Sequence, residues 1–233
     1  MESSKEKSST GDKISDFIQK NRKGIFVTLG IFILLFLGLI VYFLISDSVN
    51  RKATAEIVEM ADEYERLRFS EGVDYYSSEM NELLSKLNDF AIKNKGFPGS
   101  KAWSTIAHIY SERQNWANAE EAWLNSARLG AKTYLGPISF FQAAVAAEEQ
   151  NKLENAIDYL QQCVSHSFEF PDAPRAQFNI GRLYEQLGNV QGALEAYRAV
   201  LINWPWERSE VISQSMYVWQ NLARNQIIKL ELR

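Results

Sequence analysis

The stretch SKAWSTIAHIYSERQNWANAEEAWLNSA, residues 100–127, decides the fold. Large side chains recur three and four residues apart at Trp103, Ile106 and Tyr110, the spacing that places them on one face of an α-helix. A second helical pattern follows, and its Ala119 is small enough to let two helix backbones approach each other closely. The stretch therefore predicts a closely packed pair of α-helices.

The same pattern returns twice without internal gaps. The three segments begin at Ser100, Pro137 and Pro174, so the pitch is 37 residues both times. The eighth position is always small and the twentieth is always alanine: Ala107, Ala144 and Gly181, then Ala119, Ala156 and Ala193. Residues that tolerate a helix break lie between the paired helices at the same place: Gln114-Asn115, Asn151-Lys152 and Gly188-Asn189. Three stacked helix pairs are predicted, over 100–133, 137–170 and 174–207.

This arrangement resembles the tetratricopeptide repeat, whose period is normally about 34 residues. The resemblance implies an all-α solenoid that binds other proteins, with small residues where paired helices cross and large ones between repeats. The three additional residues of each period fall in the loops near AKTYLGP and HSFEFPD. Pro205 matches the proline that often closes such a repeat.

Helical patterns are also predicted on both sides of the repeats, which together occupy 99–207. Residues 46–98 are expected to form a divergent hairpin, with one stripe at Ala53, Ile57, Met60, Tyr64 and Leu67 and another at Tyr76, Met80, Leu84, Leu87, Phe90 and Ala91. Residues 208–233 are expected to hold a capping helix over 209–232, because the last repeat of a solenoid otherwise exposes its stacking face.

A membrane span is predicted at Gly24–Ile45, which reads GIFVTLGIFILLFLGLIVYFLI and contains no charge. At about 1.5 Å of rise per residue this run matches a hydrocarbon core of about 30 Å. A cleavable signal peptide would have a shorter apolar region that ends in small residues. Because this run ends in Phe43, Leu44 and Ile45, an uncleaved signal anchor is the better interpretation.

The charges beside the span predict its orientation. Lys20, Arg22 and Lys23 directly precede the span, and the side with the denser basic cluster normally stays in the cytoplasm. We therefore expect residues 1–23 to form a cytoplasmic tail, of which 1–12 are disordered, and the repeat domain to lie on the far side of the membrane.

Composition and charge argue against several other functions. Residues 1–45 carry a net charge of +2 and the rest carries −6, so the acidic domain lacks the basic surface that nucleic acid requires.

Cys163 is the only cysteine, and a disulfide framework or a cysteine-rich zinc site is thereby excluded. His166 lies three residues after Cys163, a spacing that could suggest a metal pair or a thiol activated by imidazole. Because position 163 is a packing position of the repeat, Cys163 is interpreted as a core residue. The carboxylate pairs Glu120-Glu121 and Glu148-Glu149 are interpreted as solvated faces. No enzyme activity, no metal and no cofactor are expected.

A protein-binding groove is predicted on the first helix of each repeat, at positions 2, 5, 9 and 12. Its predicted contact residues are His108, Phe141, Val145, Arg175, Phe178 and Arg182. Exposed apolar side chains in such a groove would suit the recognition of unfolded or extended segments. Alternatively, the N-terminal hairpin or the closing helix folds over these side chains.

The stretch FAIKNKGFPGSKAWSTIAHIYSERQNWANAEEAWLNSA, residues 90–127, and the order of parts resemble the YfgM-like family of bacterial inner-membrane tetratricopeptide proteins. This resemblance implies a single-pass protein of the bacterial inner membrane with a periplasmic repeat domain. It also implies association with the Sec translocon and periplasmic chaperones, and chaperone-like assistance to exported proteins, including unfolded clients. The alternative is a structural scaffold that anchors an envelope complex such as a division, secretion or motility apparatus.

Overall fold

The computed structural model describes residues 10–70, 72, 74–166, 170–204 and 214–232, and this part of the chain is helical, with no β-strand. The helices are α1 (Thr10–Arg68), α2 (Ser78–Lys93), α3 (Gly96–Glu112), α4 (Trp116–Leu129), α5 (Leu135–Glu149), α6 (Leu153–His166), α7 (Ala173–Gln186), α8 (Val190–Asn203) and α9 (Gln214–Glu231). The chain divides into two compact units, Met1–Lys52 and Ala53–Arg233. The all-α prediction is confirmed.

The first unit contains one helical stretch, Gln19–Val41, that is long and apolar enough to cross a membrane. None of its most apolar window is buried by the protein, whereas the core helix of a soluble protein would be covered. The hydroxyl of Thr28 donates a 2.9 Å hydrogen bond to the Gly24 carbonyl, which satisfies this polar group within the helix. The prediction of disorder over 1–12 is wrong for residues 10–12, which begin α1, and residues 1–9 lie outside the described part.

In the second unit, α3 packs against α4, α5 against α6, and α7 against α8, while α4 and α6 also contact the first helix of the following pair. The small residues predicted at the helix crossings are all buried: Ala107, Ala119, Ala144, Ala156, Gly181 and Ala193. Their burial confirms that these positions bring the paired backbones together.

The predicted turns are confirmed by their backbone geometry. Gln114, Asn151 and Gly188 have φ values of 55°, 58° and 72°, and they are 37 residues apart, like the repeats. A residue in this left-handed conformation commonly ends a helix, because the following N–H can then reach back to an earlier carbonyl. The N–H groups of residues 115, 152 and 189 make these bonds, with N···O distances of 2.9 Å.

Gly181 shows why the α7–α8 crossing needs glycine. A Cβ atom at this position would lie 2.5–2.8 Å from ring atoms of Tyr197. The Tyr197 ring is completely buried, and its hydroxyl donates a 2.6 Å hydrogen bond to Glu185. The ring therefore has little freedom to move away, and the absence of a side chain at 181 sets the separation of the two helices.

Three buried serines join α3, α4 and α5. The Ser126 hydroxyl lies 3.2 Å from the Ser100 hydroxyl and 2.8 Å from the Ser139 hydroxyl. Ser100 and Ser126 also donate to each other's backbone carbonyls at 2.9 Å. Since each of these buried hydroxyls has a partner, the cluster links the first repeat to the second without an unsatisfied polar group.

The C-terminal part of α1 and helix α2 extend the core on the N-terminal side of α3. Ile57 and Tyr64 of α1 pack with Leu83 and Leu87 of α2 in the same cluster as Ile106. Both predicted apolar stripes are therefore present, with one correction. Tyr76 precedes α2, is exposed, and donates a hydrogen bond to the Arg113 carbonyl, because α2 begins only after the cap formed by the Ser77 hydroxyl.

Helix α9 packs against α7 and α8, in the position expected for a closing helix. Its Ala223 and Leu230 are buried in one cluster with Tyr197 and Val200 of α8. The helix begins at Gln214 within the described residues, and the predicted segment 209–213 and Pro205 lie outside them.

Candidate protein-binding face

The six predicted contact residues come from the first helices of the three pairs. His108 is on α3, Phe141 and Val145 are on α5, and Arg175, Phe178 and Arg182 are on α7. We call the surface formed by these residues the first-helix face. Several of these side chains contact residues of a neighbouring repeat or of α9, and those contacts leave them less able to contact a ligand.

Phe141 is covered by the next repeat. Only 7% of the residue is exposed, because the Arg175 guanidinium lies 4.8 Å from the centre of its ring. The same guanidinium lies 5.9 Å from the ring centre of Trp219 on α9. Arg175 is thus held against two aromatic rings, an arrangement that favours a cation through the negative faces of the rings.

Phe178 is covered by the closing helix. Its ring lies 5.1 Å from that of Tyr197 and 5.4 Å from that of Trp219, and 8% of the residue is exposed. The expectation that Phe141 and Phe178 present exposed apolar surface is therefore wrong. For Phe178 the alternative, in which the closing helix folds over the face, describes the observed packing. Replacing both phenylalanines by alanine would remove core contacts and lower stability, instead of leaving the fold intact.

Arg182 is engaged in a two-point ion pair. Its two terminal nitrogens each donate a 2.6 Å hydrogen bond to a carboxylate oxygen of Glu148. Hydrogen bonding to Arg182 lowers the pKa of Glu148, since it favours the charged carboxylate. The interpretation of Glu148-Glu149 as a solvated pair is wrong for Glu148, and Arg182 already has the carboxylate partner that it was expected to offer to a ligand.

His108 is packed between aromatic rings near the N-terminal side of the face. Its imidazole stacks 6.3 Å from the Tyr64 ring and meets the Trp123 ring edge-on at 4.7 Å. Burial of the ring among these neighbours, together with the nearby positive charges of Arg68 and Lys101, lowers the pKa of His108 to about 4. His108 is therefore neutral at physiological pH, with one edge open to solvent.

Three of the six residues are exposed: His108 on α3, Val145 on α5 and Arg175 on α7. Val145 is 38% exposed, and Arg175 is exposed on the outer side of its contact with the rings. Ile138, about two helical turns before Val145, is half-buried. The accessible part of the first-helix face is thus a small apolar spot beside a fixed cation, with the Glu148–Arg182 pair at its edge.

Glu120 forms a buried polar site that the sequence pattern missed. Its carboxylate accepts hydrogen bonds from Lys152 and Gln150, both at 2.8 Å, and from the Tyr159 hydroxyl at 2.9 Å. Burial raises the pKa of Glu120, but these donors outweigh burial and the net pKa is lowered. The interpretation of Glu120 as part of a solvated pair is wrong, whereas Glu121 is exposed. The three donors lie 30 to 39 residues after Glu120, which is about one repeat. This spacing is the feature of the sequence that could have indicated a contact between neighbouring repeats.

Cys163 is fully buried in the core of the second and third repeats, as expected for a packing position. Burial raises the pKa of its thiol to about 12, which keeps the sulfur protonated and unreactive. His166 instead contacts the Ala131 carbonyl and packs 6.0 Å from the Phe140 ring. Among the described residues, no group of three or more His, Cys, Asp or Glu side chains is placed to hold a metal ion.

Comparison with known proteins agrees with this geometry. Residues 141–205 match a family model described as tetratricopeptide repeat. The chain is 27% identical over 177 residues to a TPR repeat-containing protein of Treponema pallidum (strain Nichols), a match that covers 70% of this chain and 74% of the relative.

Solved structures with the same fold are more distant in sequence. Crystal structures of nearly identical TPR-like repeats from Podosopora anserina and of MamA protein both superpose with a TM-score of 0.51. Their sequence identities are 15% and 17%, each match covers 75% of this chain, and they cover 91% and 87% of the known chains. Tetratricopeptide repeats are generally scaffolds for protein–protein interaction. Residues 141–205 therefore match the tetratricopeptide repeat, and the chain has the fold of a tetratricopeptide solenoid.

Proposed function

We propose that this protein is a membrane-anchored adaptor that binds a defined partner protein through its repeats on the periplasmic side of a bacterial inner membrane. The observation that carries this proposal has two parts. The apolar helix is not covered by the protein, and side chains of the first-helix face such as Arg175 and Arg182 are held in place by contacts within the repeat unit. An adaptor needs an anchor and a rigid surface, and preformed contacts reduce the ordering cost of binding.

The basic residues Lys20, Arg22 and Lys23 support the orientation, because they lie immediately before the apolar helix. In this arrangement the N-terminal tail is cytoplasmic and the apolar helix is an uncleaved signal anchor.

The side chains of the first-helix face, and their burial, favour binding of one defined partner over promiscuous binding of unfolded clients. A promiscuous groove would offer adaptable, exposed apolar side chains, whereas Phe141 and Phe178 are buried. The remaining contact surface is Val145 beside Arg175, a combination that suits an apolar residue next to an acidic group on the partner. This role corresponds to a structural scaffold of an envelope complex.

The second candidate is chaperone-like assistance to exported proteins at the Sec translocon. The similarity of residues 90–127 to the YfgM-like family supports this candidate. The accessible spot at Val145 is small, so binding of unfolded clients would require additional surface.

Crosslinking in native membranes, followed by mass spectrometry, distinguishes the two candidates. We expect one defined set of neighbours at near-stoichiometric yield. Translocon subunits together with many different exported proteins would favour the chaperone role instead.

Variants of two exposed valines test the face itself. Val145→Glu places a charge in the accessible spot and should reduce crosslinking to the partner about tenfold or more. Val190→Glu is the control, because Val190 on α8 is similarly exposed but lies away from the first-helix face. Equal crosslinking by both variants would mean that the partner does not use this face.

A further inference from the structure

The closing helix α9 has two apolar sides, and only one of them covers the repeats. Trp219, Ala223 and Leu230 face α7 and α8. The opposite side carries apolar side chains with exposures between 39% and 82%: Tyr217, Val218, Leu222, Ile228 and Leu232. At 100° per residue these five lie within one arc of about 140°. They form a stripe that Asn221, Asn225 and Lys229 interrupt, and we call it the outer stripe of α9.

The place of α9 in the solenoid explains why this stripe is exposed. Helix α9 contacts α7 and α8, as α5 contacts α3 and α4, so it occupies the position of the first helix of a fourth pair. In the complete pairs, the second helix covers the corresponding side of the first helix. Among the described residues, no helix covers this side of α9.

We propose that the outer stripe of α9 is a homodimer interface, in which the α9 helices of two copies pack antiparallel about a two-fold axis at Asn225. In this register, residues whose numbers sum to 450 lie opposite each other. Leu222 then meets Ile228 of the second copy, and Val218 meets Leu232. Four of the five apolar positions thus meet apolar positions of the other copy, as a two-fold contact requires, whereas Tyr217 lies opposite position 233, outside the described residues.

The charges on the same side of α9 are compatible with this register. Lys229 lies opposite Asn221 of the second copy, and Arg224 lies opposite Gln226, so no like charges face each other directly. Glu231 is already paired with Arg198 of its own chain at 2.7 Å. Asn225 meets its own counterpart at the axis, where two side-chain amides can exchange hydrogen bonds.

The area of the stripe is sufficient for a specific contact. Its five side chains expose on the order of 500 Å² per copy, so two copies bury about 1,000 Å², the lower limit of a specific interface. A membrane anchor would confine both copies to one plane and raise their effective concentration. A second copy is therefore a matching occupant for this surface.

The first test measures the mass of the full chain in detergent by light scattering after size-exclusion chromatography. The protein should dimerise, and Leu222→Asp should raise the dimer dissociation constant by about 30-fold or more, because it places a charge in the centre of the stripe. Leu187→Asp is the matched control, since Leu187 has the same 39% exposure in the turn that follows α7 and its substitution should leave the dimer intact. A monomeric wild type, or a dimer unaffected by Leu222→Asp, would overturn the proposal.

Cysteine crosslinking then tests the register, and the buried position of the only native cysteine keeps the background low. Asn225→Cys should form a disulfide with its own copy, and Gln191→Cys, exposed on α8, should not. Mixing Val218→Cys with Leu232→Cys protein should give the mixed disulfide in excess of either homodimer. Homodimers in excess for both variants would indicate a parallel pair, and crosslinking no faster than that of Gln191→Cys would exclude the interface.

Discussion

At the scale of single residues, the contact between Gly181 and Tyr197 sets the spacing of the third helix pair. The tyrosine ring is buried and tied through its hydroxyl to Glu185. A side chain at position 181 would need the same space as the ring, so the two positions should be energetically coupled.

Gly181→Ala should lower the free energy of unfolding by about 1–3 kcal/mol, because even one methyl group overlaps the ring, and Gly181→Leu should cost more. Tyr197→Leu, which removes the overlapping ring atoms, should make the added methyl less harmful. Urea unfolding of the unit 53–233 gives all four stabilities of this cycle. If Gly181→Ala costs the same with Tyr197 present or absent, the proposed overlap is not the cause.

His108 gives a prediction about pH. Its folded-state pKa of about 4 lies below the ordinary value of 6.5, so between these values the unfolded chain binds a proton that the folded chain does not. This group therefore contributes a loss of stability that grows as the pH falls from about 6.5 towards 4. His108→Gln should reduce the difference in urea midpoint between pH 7 and pH 5. An unchanged difference would show that the packing of Tyr64 and Trp123 does not hold the imidazole neutral.

At the scale of the helices, the repeat pitch predicts both where helices end and how. Gln114, Asn151 and Gly188 occupy equivalent left-handed positions, but only the last is glycine. Glycine adopts this conformation without the steric cost that a Cβ atom imposes.

Changing these turn residues should therefore alter stability in opposite directions. Gln114→Gly should stabilise the unit 53–233 by about 0.5–1 kcal/mol, and Gly188→Ala should destabilise it by about 1 kcal/mol. Asn151→Gly should gain less than Gln114→Gly, because asparagine tolerates the left-handed region better than glutamine. Thermal and urea unfolding would measure the series, and an effect of the same sign for Gln114→Gly and Gly188→Ala would contradict it.

The helix pairs, their crossings and their turns could be predicted because they depend on residues within one repeat. Contacts between repeats could not be predicted in the same way. The pairs Glu148–Arg182 and Glu120–Lys152 join residues 34 and 32 apart, so they depend on how successive repeats are rotated against each other. The predicted binding face was taken from positions within each repeat, on the assumption that the first helices are open to solvent. This prediction failed at Phe178, because the Trp219 ring of α9 packs where a ligand was expected to bind.

At the scale of the whole molecule, the chain combines two units with different solvent requirements. The N-terminal helix leaves its apolar side chains uncovered, whereas the repeat unit buries its own core and keeps an acidic exterior. This contrast is the physical reason for proposing an anchor followed by a water-exposed binding domain.

The central claim is that the repeats work on the far side of the membrane that the first helix spans, and protease treatment of spheroplasts tests it most directly. Protease added outside should digest the repeat unit and leave a short anchored fragment of about 50 residues, the length of tail plus span. Disruption of the membrane should then be required before the N-terminal tail is lost. A repeat unit that stays protected until the membrane is broken would contradict the account, as would release of an intact repeat unit by cleavage after the apolar helix.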